Sequence, residues 1–231
     1  MRISPFAAAL HWIFMASAVF GDVVSERQFK RPPPGYMNRE TIEIQEVKPD
    51  YYRVTVNYWF EGDINGFFPL AFPETDRVQL HSFSATAGGL PLKVEKQVAG
   101  DKGAFRFRGQ RYPVLYRLSA PKNIPVRNGE THSSNEYFFT APHFSQKDNP
   151  EKLRLIEYVL VTGGGWSGNT IGDLTISVSF LADRCTCALP LNHFSTGRCI
   201  SPRNMRLHVR DWKPEENFEL AMPGECRKKK Q

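Results

Sequence analysis

The sequence predicts an all-β protein, an antiparallel β-sandwich of about ten strands with an immunoglobulin-like general architecture. Three observations carry that expectation. Apolar residues recur with period two, as where Val54, Val56, Tyr58 and Phe60 alternate with Arg53, Thr55, Asn57 and Trp59. Turn signals built from Gly, Pro, Asn and Asp separate these runs at short spacing. Helical periodicity is nearly absent. The clearest stretch is Tyr158 to Phe180, YVLVTGGGWSGNTIGDLTISVSF, which reads as strand, tight turn, strand. Leu174, Ile176, Val178 and Phe180 face one way there, and Thr175, Ser177 and Ser179 the other. Gly163, Gly164 and Gly165 make the bend, and Trp166 offers it a large apolar face, for which core packing is a plainer role than ligand anchoring.

The elements follow in order from the N-terminus. Arg2, an apolar run from Phe6 to Phe20 and small residues around Gly21 predict a secretory signal over 1–21, with Ala16-Ser17-Ala18 as a second cleavage position. A run of about 15 residues is short for a membrane span. Export, to the periplasm or the medium, is the resulting expectation, with no transmembrane helix after signal cleavage. Residues 22–40 hold Pro32-Pro33-Pro34-Gly35 and read as an extended lead-in. The β-sandwich domain is expected over 41–222 and a basic tail over 223–231.

Within the domain, Ile42 and Ile44 open a first strand, joined at Lys48-Pro49-Asp50 to a second over 53–60. Asn65-Gly66 predicts a hairpin, and the strand after it, Phe67 to Phe72, contains Pro69 and is expected at a sheet edge. Gly88-Gly89 predicts a hairpin between runs 78–87 and 90–98. Short strands are expected near Phe105 to Phe107 and Tyr112 to Leu118. Long loops are expected over 119–134 and 141–150, separated by a strand from Glu136 to Thr140, and Leu153 to Val161 leads into the glycine turn.

The chain of 231 residues carries a net charge of +6, with basic residues concentrated at Arg227 to Lys230 and mixed charges elsewhere. The tail is expected to be solvated, with weak contact to anionic surfaces as the sharper alternative. Four cysteines, Cys185, Cys187, Cys199 and Cys226, lie in the last quarter, and in an exported chain they read first as two disulfides. Cys185 and Cys187 would point to opposite faces of a strand, so each is expected to bond elsewhere, one to Cys199 and the other to Cys226. The rival reading is a zinc site made by Cys185, Cys187, His193 and Cys199.

Catalytic signatures are missing. Gly163 to Gly168 is not followed by the lysine or the helix of a phosphate loop, and no Gly-x-Ser-x-Gly elbow occurs. His81, His132, His143 and His208 are scattered, and Glu215-Glu216 reads as a solvated strand entry. Phe105 and Phe107 alternate with Arg106 and Arg108, which as a strand puts the rings inward and the charges in water, so nucleic-acid binding is not expected. No cofactor is expected.

Glu157 to Gly163, Trp166-Ser167-Gly168 with Ile171-Gly172, the segment Leu207 to Phe218 containing Trp212 and Pro214, and Phe67 to Pro73 together resemble a family of exported bacterial β-sandwich proteins of unknown function. That family shows a Y-x-L-x-T-G segment and a W-x-G-x-I-G turn, which Asn169-Thr170 lengthens here. The resemblance implies a periplasmic or secreted sandwich without catalytic residues to carry over. The functional expectation is a non-enzymatic binding or structural module of the cell envelope, recognising a protein, glycan or lipid through loops 119–134 and 141–150. Tyr36, Trp59, Tyr112 and Trp166 are the candidate aromatic anchors. The alternatives are an exported hydrolase whose site is assembled only by folding, with His132 or His143 beside a carboxylate, and a zinc-stabilised module.

Overall fold

The computed structural model describes residues 18–21, 24–25, 36–74, 80–99, 105–107, 110–140, 143–146, 149–159, 170–182, 189–190, 198–201, 203–213 and 218–222. Their strands are β1 (Ala18–Gly21), β2 (Val24–Ser25), β3 (Met37–Lys48), β4 (Tyr51–Glu61), β5 (Leu70–Glu74), β6 (Leu80–Ala87), β7 (Leu90–Pro91), β8 (Lys93–Val98), β9 (Phe105–Phe107), β10 (Gln110–Tyr112), β11 (Val114–Ser119), β12 (Glu130–Thr140), β13 (His143–Gln146), β14 (Asn149–Val159), β15 (Ile171–Ser179), β16 (Leu189–Pro190), β17 (Arg198–Ser201), β18 (Asn204–Trp212) and β19 (Phe218–Met222). Among the described residues the helical content is one 3-10 turn, Asn65–Phe67. No helix there is long and apolar enough to cross a membrane.

Sheet I has eight strands in the order β17-β18-β15-β3-β4-β12-β6-β7. Sheet II has nine, with β16-β19-β14-β1-β5-β11-β8 in line, β13 on β14 and β2 on β5; β9 and β10 pair separately. The inner face of sheet I supplies Ile42, Ile44, Val54, Val56, Ile176 and Val178, and the inner face of sheet II supplies Leu70, Phe72, Tyr116 and Leu118, to one buried cluster. An aromatic seam joins the two layers. Phe72 lies 4.8 Å from Phe83 and 5.2 Å from Tyr137, and Phe83 stacks on Tyr116 at 4.9 Å between ring centroids. Each such ring brings a large apolar area and a preferred packing geometry, so the seam fixes how the sheets face each other.

The all-β expectation holds. The wholly antiparallel one does not, because β15 runs parallel to β3 and β1 parallel to β14. Alternation along a strand sets which face is buried and carries no information about the direction of its neighbours. The segment 158–180 supplies two strands as expected, yet they lie in different sheets, β14 in sheet II and β15 in sheet I. The glycines and Trp166 between them are outside the described residues.

Several local expectations are corrected in the same way. Asn65-Gly66 closes no hairpin; it sits in the 3-10 turn where the chain passes from β4 in sheet I to β5 in sheet II. The Asn65 side chain is used instead to hold another loop, accepting from Ile124 N at 2.6 Å and donating to Ile124 O at 3.0 Å. The Pro-containing strand is not at an edge, since β5 lies between β1 and β11. Pro69 precedes it. Pro73 pairs with Leu115 on one side, while on the other β1 reaches only Glu74 and β2 only Ala71 and Leu70, so its missing N–H falls opposite a break in the ladder.

The expected loop 119–134 ends at Glu130, where β12 begins, and strands β13 and β14 occupy much of 141–150. The Gly88-Gly89 hairpin forms, but after Ala87↔Leu90 and Thr86↔Pro91 the chain leaves sheet I and continues as β8 in sheet II. Ala18–Gly21, which carries both expected cleavage positions or adjoins them, pairs with β14 and β5. Cys185, Cys187, His193 and Cys226 lie outside the described residues, and Cys199 is placed only through its backbone, opposite Met205.

Candidate functional site on the outer face of sheet I

The alternation that buries Ile42, Ile44, Val54 and Val56 turns their neighbours outward, and the register lines these up across the sheet. One row reads Arg210, Asp173, Arg39, Trp59, His132. Arg39 Cζ lies 3.8 Å from the Trp59 ring centroid, and His132 stacks on Trp59 at 4.8 Å from the neighbouring strand. His132 Nε2–H donates to Asn57 Oδ1 at 3.2 Å, and Asn57 Nδ2 to Thr41 Oγ1 at 3.4 Å. Burial, reinforced by the Arg39 charge, holds the His132 imidazole below its usual pKa and therefore neutral. His208 Nε2 is 3.1 Å from both carboxylate oxygens of Asp173.

At the other end of β4, Tyr51 stacks with His81 at 5.4 Å and Phe138 at 5.8 Å, with Lys48 Nζ 4.4 Å from its ring. Between these stacks the face is hydroxyl- and amide-rich. Beside them, over β18, β15 and β3, opens a depression of about 300 Å³ lined by Glu43, Gln45, Ser177, Ser179, Asn204 and Arg206 together with Ile44, Val178 and Met205. Arg39, Arg206 and Arg210 have no carboxylate partner among the described residues. Stacking on Trp59 orients the Arg39 guanidinium while leaving its N–H edge available for an anion.

Of the predicted anchors, Trp59 is on this face, flanked by Arg39 and His132. Tyr36 is half-buried and its carbonyl accepts from Glu61 N at 2.9 Å, tying it into the fold. Tyr112 is fully buried, which removes it as a surface anchor, and Trp166 is outside the described residues. His132 meets an amide and an indole rather than a carboxylate, and His143 is placed only through its backbone in β13. Among the described residues, no group of three or more His, Cys, Asp or Glu is arranged to hold a metal. The three arginines carry no distinguishing signal in the sequence, because charged side chains at the outward positions of a strand are the ordinary signature of a solvated face.

A second ionisable group lies inside the molecule. Glu74, on the inner face of sheet II, is 4% exposed and its Oε1 is 3.6 Å from Lys96 Nζ. Burial raises the Glu74 carboxyl, partly offset by a hydrogen bond from Tyr116 and by Lys96, and burial together with Glu74 raises the Tyr116 phenol. Among the described residues, Glu74 Oε2 has no hydrogen-bond partner. The group faces the aromatic seam, where Tyr116 stacks on Phe83.

No protein-family model matches the chain, and no curated protein does. The chain is similar to solved structures. A proposed nutrient-binding protein of Legionella pneumophila superposes with a TM-score of 0.58 at 15% identity, covering 88% of this chain and 71% of that one. An M1 zinc metallopeptidase of Deinococcus radiodurans gives a TM-score of 0.45 at 9% identity, with 82% of this chain against 42% of the enzyme.

Proposed function

We propose that the protein is an exported, non-enzymatic binding module of the cell envelope, secreted or periplasmic, whose outer face of sheet I holds an anionic partner. The observation that carries this reading is the set of three arginines, Arg39, Arg206 and Arg210, on one rigid face without carboxylate partners among the described residues. Guanidinium groups recognise carboxylate, sulfate and phosphate through paired N–H donors, and Arg39 is already oriented by Trp59. The family resemblance in the glycine and tryptophan motifs, the signal-like N-terminus and the shared core of two sheets support the same picture of an exported sandwich used as a scaffold. A nutrient-binding role has been proposed for the Legionella protein of similar fold, and a ligand-binding role for this chain agrees with it.

The experiment is retention of the folded protein on immobilised heparin along a salt gradient. Wild type is expected to elute at clearly higher salt than an Arg39→Ala/Arg210→Ala double variant, because exposed charge pairs weaken as salt screens them. A variant lacking residues 223–231 separates the sheet from the basic tail. Equal elution of wild type and the double variant overturns the reading.

A further inference from the structure

We propose that the depression between β3, β15 and β18 is a binding site for one acidic sugar residue, a hexuronate unit of a glycan; this deepens the reading above and rests on it. The lining sets the ligand class. Ile44, Val178 and Met205 are buried, at 1%, 1% and 5% exposure, with their side chains turned into the core. The side chains left to the depression are therefore Glu43, Gln45, Ser177, Ser179, Asn204 and Arg206. The stems of these side chains also present apolar surface, against which the C–H face of a sugar ring can pack.

A simple cation meets Arg206, and a simple phosphate leaves the acceptors of the site unused and faces Glu43. The set instead suits a ligand with one negative charge and several hydroxyls. Ser177 lies between Glu43 and Arg206 in the register, and Ser179 between Gln45 and Asn204. Two strand spacings, about 10 Å, thus separate a carboxylate that accepts from hydroxyls and a guanidinium that pairs with a carboxylate. Gln45 Oε1 already accepts from Arg53 Nη2 at 2.8 Å, which commits the other end of that amide to donating. The volume, about 300 Å³, is that of a small ligand site and accommodates one pyranose ring.

The test is an amide-resolved NMR titration of the full chain with glucuronate, with glucose and inorganic phosphate as comparison ligands. Glucuronate is expected to shift residues 43–45, 177–179 and 204–206, and glucose and phosphate to bind at least about ten-fold more weakly. Arg206→Ala is expected to abolish the glucuronate response and Ser177→Ala to weaken it, with the spectrum otherwise native. Shifts elsewhere, equal binding of the three ligands, or an unchanged response in Arg206→Ala would overturn the assignment. Heparin retention that depends on Arg39 and Arg210 without any glucuronate response would overturn the sugar site alone. A glucuronate response with retention unaffected by those arginines would overturn the wider surface reading.

Discussion

At the scale of single residues, two positions show how the sheets constrain side chains. A Cβ at Gly172 would stand 2.5 Å from Asn38 O and 2.9 Å from the Tyr36 hydroxyl, where β15 meets β3. Gly172→Ala should destabilise the fold by roughly 1–3 kcal/mol, since backbone must move to admit one methyl group; a denaturant midpoint equal to wild type would contradict this. Glu74 is the other. Burial raises its carboxyl above the ordinary value of 4.5, so the fold favours the neutral form. Its contribution to stability is full below pH 4.5 and is lost as pH rises through the folded pKa. Glu74→Gln, which keeps an acceptor for Tyr116, should therefore be more stable than wild type at neutral pH, with the gap closing toward pH 4. Chemical denaturation across that range checks it, and a gap that widens in acid would reject the assignment. His132 works in the opposite sense, its neutral form being favoured, and costs stability as pH falls below 6.5.

Among the elements, β12 begins at Glu130, ahead of the strand expected at Glu136 to Thr140, and its first residues show why the sequence reads as a loop up to 134. Its inward positions from the start are Thr131, Ser133 and Asn135, all buried, so no apolar period announces it. Each bonds inside: Thr131 Oγ1 donates to Gly62 O at 2.7 Å, Ser133 Oγ to Thr86 O at 2.9 Å, and Asn135 Nδ2 to the Tyr58 hydroxyl at 3.4 Å, while Asn135 Oδ1 has no hydrogen-bond partner among the described residues. The turn before it uses the chain's other Asn-Gly pair. Asn128 and Gly129 have φ of 53° and 79°, and Arg127 and Glu130 exchange backbone hydrogen bonds of 2.8 and 2.9 Å around them. Gly129→Ala should accordingly cost about 1 kcal/mol, the penalty of a left-handed Cβ, while Gly66→Ala, in open space, should be close to neutral. Equal thermal shifts for the two variants would show that the turns have been confused.

At the scale of the whole molecule, stability rests on the seam between the sheets. Phe72 is fully buried and touches Phe83 and Tyr137 on the facing sheet. Phe72→Ala should cost roughly 3–5 kcal/mol and lower the stability of both layers together. Equilibrium unfolding followed by tryptophan fluorescence and by far-UV circular dichroism tests this; a small loss, or separate transitions from the two probes, would mean that the sheets do not share one cooperative core.

The strand-rich character, the buried faces of β3, β4 and β15, and the turns at Pro49-Asp50 and Gly88-Gly89 are legible in the chain, because alternation and turn chemistry act between residues near each other along it. Trp59 is legible there too as an outward aromatic. Folding adds that β14 and β15 belong to different sheets, that β15 runs parallel to β3, that Tyr112 is interior, and that Arg39, Arg206 and Arg210 share one face. Those outcomes depend on pairings between segments far apart in sequence, which are set by how two apolar faces close on each other rather than by any local pattern.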